Sequence, residues 1–220
     1  MKINFLGDSI TEGACASMTE KRYSTLVCQT LGAEEKNYGI GGTRIAKQKN
    51  PNPESWEDDK DFIARAPTMD KDADFVFIFG GTNDYGHGNV PLGSMTDETE
   101  YTFCGALKSL VQYLISTYGK EKLCFILPIH RYNEDNPYGE GNKAVAGAPL
   151  SAYVQAEKEV FDYYGVEYLD FNELFPVPKT NTGDELTQDG LHPNDTGHKI
   201  LAEQLLCYLK SKFSSCNEKK

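Results

Sequence analysis

Two blocks of the chain are apolar at every position, Phe75-Val76-Phe77-Ile78-Phe79 and Leu123-Cys124-Phe125-Ile126-Leu127. A strand covered on both faces has no solvent side to alternate with. Unbroken apolar runs of this length therefore predict interior strands of a parallel sheet. Ile3-Asn4-Phe5-Leu6 predicts a strand at about 2–6, and shorter strands are expected near 34–38 and at Val166-Glu167-Tyr168-Leu169. Between these runs the apolar spacing becomes helical. Phe103, Leu107, Leu110 and Leu114 form one stripe of a helix over 97–118. Tyr23, Leu26, Val27 and Leu31 mark a helix over 22–31, closed by Gly32. A helix over about 149–163 stops at Gly165, and Ile200, Leu201, Leu205 and Leu209 mark a last one over 195–212.

Strands alternating with helices predict an α/β fold, a mostly parallel sheet of about five strands with helices on both faces. The 220 residues fit one domain. In such sheets ligands gather beyond the C-terminal ends of the strands. The unusual segments all fall there: Ser9 after the first strand, Gly39-Ile40-Gly41-Gly42 after the second, and Gly80-Gly81-Thr82-Asn83-Asp84 after the third. His130 follows the fourth, and Asp189-Gly190-Leu191-His192-Pro193 precedes the last helix. Residues 132–148 form a loop long enough to suggest function. Residues 47–60 read as a polar surface loop.

A serine on a turn after a strand is either a helix cap or a nucleophile. As a nucleophile Ser9 needs a base, for which His192 is the candidate. Asp189, three residues earlier, can orient that imidazole. An attacked ester also develops an oxyanion, which needs donors already in place. The candidates are the N–H of Ser9, the N–H of Gly42 and the side-chain amide of Asn83. Asp8 is expected to accept backbone N–H bonds and shape the turn. Arg44, Asp84 and His130 are candidate substrate contacts. For Arg44 the functional reading is a partner for Asp84 or a substrate contact and the competing one a surface cation; for His130 the competing reading is a structural role. Trp56 packs its loop or stacks on a sugar ring. His87 and His198 receive no role.

Gly7-Asp8-Ser9-Ile10-Thr11, Asn37 followed five residues on by Gly42, Gly81-Thr82-Asn83-Asp84 and Asp189-x-x-His192 occur in this order across almost the whole chain. Together they resemble the four blocks of the SGNH (GDSL) hydrolase family. The resemblance implies a flavodoxin-like three-layer αβα fold and ester hydrolysis by Ser9, Gly42, Asn83, Asp189 and His192. Gly42 is chosen over Gly39 and Gly41 by its spacing from Asn37. The family includes lipases, thioesterases, lysophospholipases and carbohydrate O-deacetylases.

The formal net charge of -11 argues against nucleic acid and anionic membrane surfaces as partners. No apolar run of about 18 residues exists to span a bilayer. Met1-Lys2 leads into a strand without an apolar leader region, so a cytoplasmic protein is expected. The six cysteines lack CxxC spacing and read as reduced thiols, with Cys104, Cys124 and Cys207 in the core. Asp70-x-Asp72-x-Asp74 has Phe75 and Gly81 where a calcium loop needs glycine and glutamate. No zinc spacing is visible, and no cofactor or metal is expected. Asn194-Asp195-Thr196 reads as the N-cap region of the last helix rather than a glycosylation site. The partner is a small-molecule ester. Tyr85, Tyr132 and Tyr138, and the lack of a Leu, Val or Met run in 39–49 and 85–96, favour short acyl groups, acetyl first, on a polar alcohol such as a sugar. A lysophospholipase or acyl thioesterase is the alternative enzyme. A binding module that kept the fold without the chemistry is the alternative outside enzymes.

Overall fold

The computed structural model describes residues 1–49, 60–179 and 185–217, with side chains to residue 214. Along the chain run β1 (Lys2–Gly7), α1 (Ser9–Glu12), α2 (Tyr23–Leu31), β2 (Glu34–Gly39), α3 (Phe62–Arg65), β3 (Phe75–Phe79) and α4 (Thr82–His87). They are followed by α5 (Phe103–Tyr118), β4 (Leu123–Ile126), α6 (Leu150–Tyr164), β5 (Glu167–Leu169), α7 (Phe171–Leu174) and α8 (Asp195–Asn217).

The five strands form one sheet in the order β2-β1-β3-β4-β5, every neighbouring pair parallel. This is the flavodoxin-like order, whose direction of winding reverses between β1 and β3. Because side chains alternate across a strand, each central strand feeds two cores. Ile3, Phe5, Phe75, Phe77, Phe79, Cys124 and Ile126 point to one face, with Val27, Leu201, Leu205 and Leu209 of α2 and α8. Leu6, Val76, Ile78, Leu123 and Phe125 point to the other, with Leu107, Leu110 and Leu114 of α5 and Val160 and Phe161 of α6. Two apolar layers explain why β3 and β4 carry no polar residue.

The register matters for function. Gly7 lies opposite Gly39 and opposite Phe79, and Phe79 lies opposite Ile126. The strands thus end level, and the segments that follow them share one rim. The helix expected over 97–118 begins only at Phe103. Thr102 caps it by accepting the Gly105 N–H, and Asp97 is held in a turn with Ser94. Cys104 and Cys124 are buried as expected, but Cys207 is exposed. It sits midway between Leu205 and Leu209, and a two-residue step turns about 200° around a helix, away from their inward face. Trp56 and most of the 47–60 loop lie outside the described residues. Among the described residues, no helix is long and apolar enough to cross a membrane.

Candidate active site

The chain turns sharply after β1. Asp8 caps α1, its Oδ1 accepting the Ile10 N–H at 3.0 Å, and Ser9 becomes the first residue of the helix. Burial pushes the Asp8 carboxyl up to about 6, against the pull of the Ile10 bond. The capping role therefore belongs to Asp8, and the Ser9 hydroxyl is left for other work. Its Oγ lies 2.9 Å from His192 Nε2. His192 Nδ1 lies 2.6 Å from Asp189 Oδ2, and Asp189 Oδ1 accepts the N–H groups of Leu191 and His192 at 3.0 and 2.7 Å. Burial alone would raise the Asp189 carboxyl, but the bonds from His192 outweigh it and hold it below the usual carboxylate range. Asp189 thus stays ionised beside the ring.

The His192 loop is anchored on both sides. Leu191 is buried in the core, Gln188 N–H donates to His192 O at 3.0 Å, and Tyr132 N–H donates to Gly190 O at 3.0 Å. Asn194 then caps α8, its Oδ1 accepting from Thr196 and Gly197.

The three glycines after β2 have separate duties. A side chain on Gly39 would strike the backbone of Thr11 and Glu12, and its N–H is taken by Asn37 Oδ1 at 2.8 Å. The Gly41 N–H is taken by Glu12 Oε2 at 2.8 Å. Gly42 has φ 72, a left-handed conformation that glycine adopts without steric cost. Its N–H has no acceptor among the described residues. Beside it stands Asn83, in the first turn of α4, 3% exposed. Asn83 Nδ2 donates one hydrogen to Thr43 O at 3.0 Å, which leaves the second.

Sequence reasoning missed the residues that hold this rim. Arg65 Nη2 donates to Gly7 O at 3.1 Å and to Thr43 Oγ1 at 2.8 Å, and Nη1 donates to Tyr38 O. One guanidinium thus ties the ends of β1 and β2 to the Gly42 loop. His87, given no role above, places Nε2 3.0 Å from Gly42 O, and its Nδ1 faces Glu140 Oε2 at 3.4 Å. Glu140 Oε1 pairs with the fully buried Arg131 at 2.6 Å, and Arg131 Nη1 donates to Thr82 O and Oγ1. The His87 contact, helped by Arg131, brings the Glu140 carboxyl down to about 2. The 132–148 loop therefore reaches both the Gly42 turn and the start of α4. No local pattern announces this, because each partner comes from a different segment.

Three sequence readings need correction. Asp84 is 2% exposed and both its oxygens are occupied, accepting Ile45 N–H and Ala46 N–H at 2.9 Å each. It ties a loop and does not face substrate; burial pushes its carboxyl up to about 6. Arg44 is 3% exposed and so is not a surface cation. Its Nη1 donates to Gly42 O at 3.1 Å and its charge pulls on Asp84. Tyr85 is buried, its hydroxyl donating to Asn133 O and to Asn136 O at 3.1 Å, so it braces the 132–148 loop rather than lining a polar pocket. His130 is held within its own segment by Glu134 at 2.8 Å and is 15% exposed.

A third buried carboxyl, Glu157 of α6, packs under Gly81. Its Oε2 has no partner among the described residues. Burial, with Asp84 and Asp8 nearby, drives its carboxyl well above the usual carboxylate range. A cavity of about 670 Å³ adjoins His87, lined in part by Val90, Leu92, Val145 and Tyr153.

The chain resembles known proteins over most of its length. The acetylxylan esterase of Xylanibacter ruminicola is 27% identical over 230 residues, which cover 96% of this chain. They cover 43% of the relative, so the chain spans less than half its length. A solved protein from Lactobacillus plantarum is 27% identical with a TM-score of 0.80, and 96% of each chain is covered. Est24, a carbohydrate acetylesterase from Sinorhizobium meliloti, shares the fold at 16% identity, with a TM-score of 0.66 over 96% of this chain and 98% of that one. The sequence model of one family matches residues 5–200, and the chain belongs to that family, the GDSL-like lipase/acylhydrolases, which are ester hydrolases.

Proposed function

We propose that this chain hydrolyses short-chain, acetyl-type esters of a polar, carbohydrate-like alcohol through an acyl-enzyme on Ser9. The observation that carries the reading is the hydrogen-bonded line Ser9 Oγ–His192 Nε2 and His192 Nδ1–Asp189 Oδ2, at 2.9 and 2.6 Å, on the rim where the sheet order reverses. Nucleophile, base and orienting acid are each within reach of the next.

His192 Nε2 takes the Ser9 proton as Oγ attacks the ester carbonyl. Asp189 holds the ring by Nδ1 and stabilises the imidazolium that forms. The carbonyl oxygen becomes an oxyanion, and the donors for it are the Ser9 N–H, the Gly42 N–H and the remaining Asn83 amide hydrogen. The Ser9 N–H sits in a first helical turn, where no intrahelical acceptor is available. Each such donor supplies about 10²–10³ in rate. Collapse of the intermediate expels the alcohol, protonated by His192. Water then attacks the acyl-enzyme by the same route and frees Ser9.

The acyl preference has its own support. A relative at 27% identity, matched over 43% of its own length, is named an acetylxylan esterase. A longer-acyl reading, lysophospholipase or thioesterase, is favoured by one observation, the cavity beside His87 with Val90, Leu92 and Val145 in its wall. Tyr85, buried, no longer argues for a polar pocket. A series of p-nitrophenyl esters from acetyl to decanoyl, with acetylated sugars alongside, separates the two. Highest kcat/KM at acetyl supports the reading, and a maximum at octanoyl or decanoyl overturns it.

A further inference from the structure

Cys15 stands beside the proposed machinery from the far end of the chain. Its Sγ, a ligand atom of Asp189 and one of His192 all lie within 4.8 Å of one another. The segment that carries it is pinned at both ends. Gly13 and Ala14 N–H donate to Ser9 O at 3.0 and 2.9 Å, and Ser17 donates to Asp195 through N–H and Oγ at 2.8 and 2.7 Å. Between the anchors Cys15 has φ 65, a conformation that non-glycine residues seldom adopt. The backbone that carries the thiol is thus pinned next to the acid and the imidazole.

We propose that Cys15, Asp189 and His192 form a binding site for a thiophilic divalent cation, zinc above all, whose occupancy shuts off hydrolysis. The donor set is sulfur, nitrogen and oxygen, the combination that zinc takes up. A tetrahedral ion has ligands at about 2.0–2.3 Å and so donors about 3.5 Å apart. The Asp189–His192 pair, now at 2.6 Å, opens by about 1 Å to reach that separation. Cys15 and His192 are part-buried and Asp189 is exposed, so an ion can reach the three from solvent.

Binding exchanges one proton for one ion. The Cys15 thiol releases its proton to solvent and binds as thiolate. A bound cation stabilises the thiolate, so the proton leaves as the ion enters. His192 binds as the neutral ring. If Nε2 takes the metal, its contact with Ser9 is lost. If Nδ1 takes it, the remaining proton moves to Nε2, which can then no longer accept from Ser9. Either way the base is removed. The sequence hides this site because its ligands come from opposite ends of the chain.

The inhibitory half rests on His192 being the base, so binding and turnover are read separately. Cobalt(II) reports binding through the near-ultraviolet thiolate-to-cobalt band, and zinc chloride is titrated against p-nitrophenyl acetate turnover. Cys15→Ser and Cys15→Asn are the variants; asparagine tolerates the left-handed backbone. Basal activity is expected within twofold of wild type in both. The expected result is a cobalt–thiolate band in wild type that both variants lack, with zinc inhibition weakened at least tenfold in both. No band in wild type, or inhibition equal in wild type and variants, overturns the site. A Cys15-dependent band with turnover unaffected by zinc keeps the site and overturns His192 as the base.

Discussion

Ser9 Oγ and His192 Nε2 lie 2.9 Å apart although 183 positions separate them in the sequence. Only the order of the sheet and the docking of α8 on α2 bring them together. Ser9 is fixed by a capped turn after β1, and His192 by the turn that leads into α8. The contact is thus a product of the whole fold.

Asp189→Asn tests how that contact is used. The amide cannot stabilise an imidazolium and favours the wrong ring tautomer. Turnover of p-nitrophenyl acetate is expected to fall about 10³–10⁴-fold with KM little changed. A loss under tenfold in steady-state rates would remove Asp189 from the mechanism.

Asn83→Ala removes one proposed oxyanion donor and leaves Ser9 and His192 in place. The expected loss is about 10²–10³ in kcat, since the bond strengthens only as charge develops. The same variant should still react stoichiometrically at Ser9. A change confined to KM would assign Asn83 to substrate binding instead.

Glu140→Ala tests the clamp from Arg131 through His87 to Gly42. It leaves the buried Arg131 guanidinium without its carboxylate and with only its Thr82 bonds, a loss of about 3 kcal/mol in unfolding free energy. Loosening the Gly42 turn is expected to lower kcat about tenfold. Denaturant unfolding and initial rates measure the two effects independently. A destabilised variant with full kcat would make His87 structural only.

His198 gives a pH signature away from the site. It is buried, its Nδ1 accepting the Tyr23 N–H at 3.3 Å and its ring parallel to Tyr23. Burial lowers it from 6.5 to about 4, despite the opposing pull of Ala14 O and Asp195. Below 6.5 the unfolded chain takes up a proton that the folded chain refuses. Its contribution is therefore full above that pH and lost as pH falls through about 4. Asp8 and Asp84, raised to about 6, act the other way: their contribution is present below 3.8 and lost as pH rises through about 6. Comparing wild type with His198→Gln cancels the carboxyl effects. The Tm advantage of wild type is expected to shrink as pH drops from 6.5 to 4. A constant gap would mean that the folded ring protonates freely.

The parts of this fold that announce themselves are those set by neighbours in sequence. Phe75–Phe79 reads as an interior strand because both faces meet apolar layers, and Leu107, Leu110 and Leu114 read as a helix stripe because their spacing follows the turn. Ser9, Asn83, Asp189 and His192 could be picked out because each lies next to an element that a local pattern places. Arg65, His87 and Glu140 could not. Their meaning lies in contacts from Arg65 to Gly7, from His87 to Gly42 and from Glu140 to His87, each made between distant segments. Asp84 and Arg44 look exposed because charged side chains usually are. Here Asp84's buried charge is matched by two backbone N–H groups and the nearby guanidinium of Arg44. Cys207 shows that an apolar neighbourhood along the chain is not an apolar neighbourhood in space.

The central claim is that Ser9 is the nucleophile and His192 its base. A fluorophosphonate probe that carries a reporter reacts only with an activated serine, and peptide mapping identifies the residue. The account predicts a single adduct on Ser9, absent in Ser9→Ala and formed at least a hundredfold more slowly in His192→Ala. No adduct on wild type, or an adduct on another serine, would contradict it.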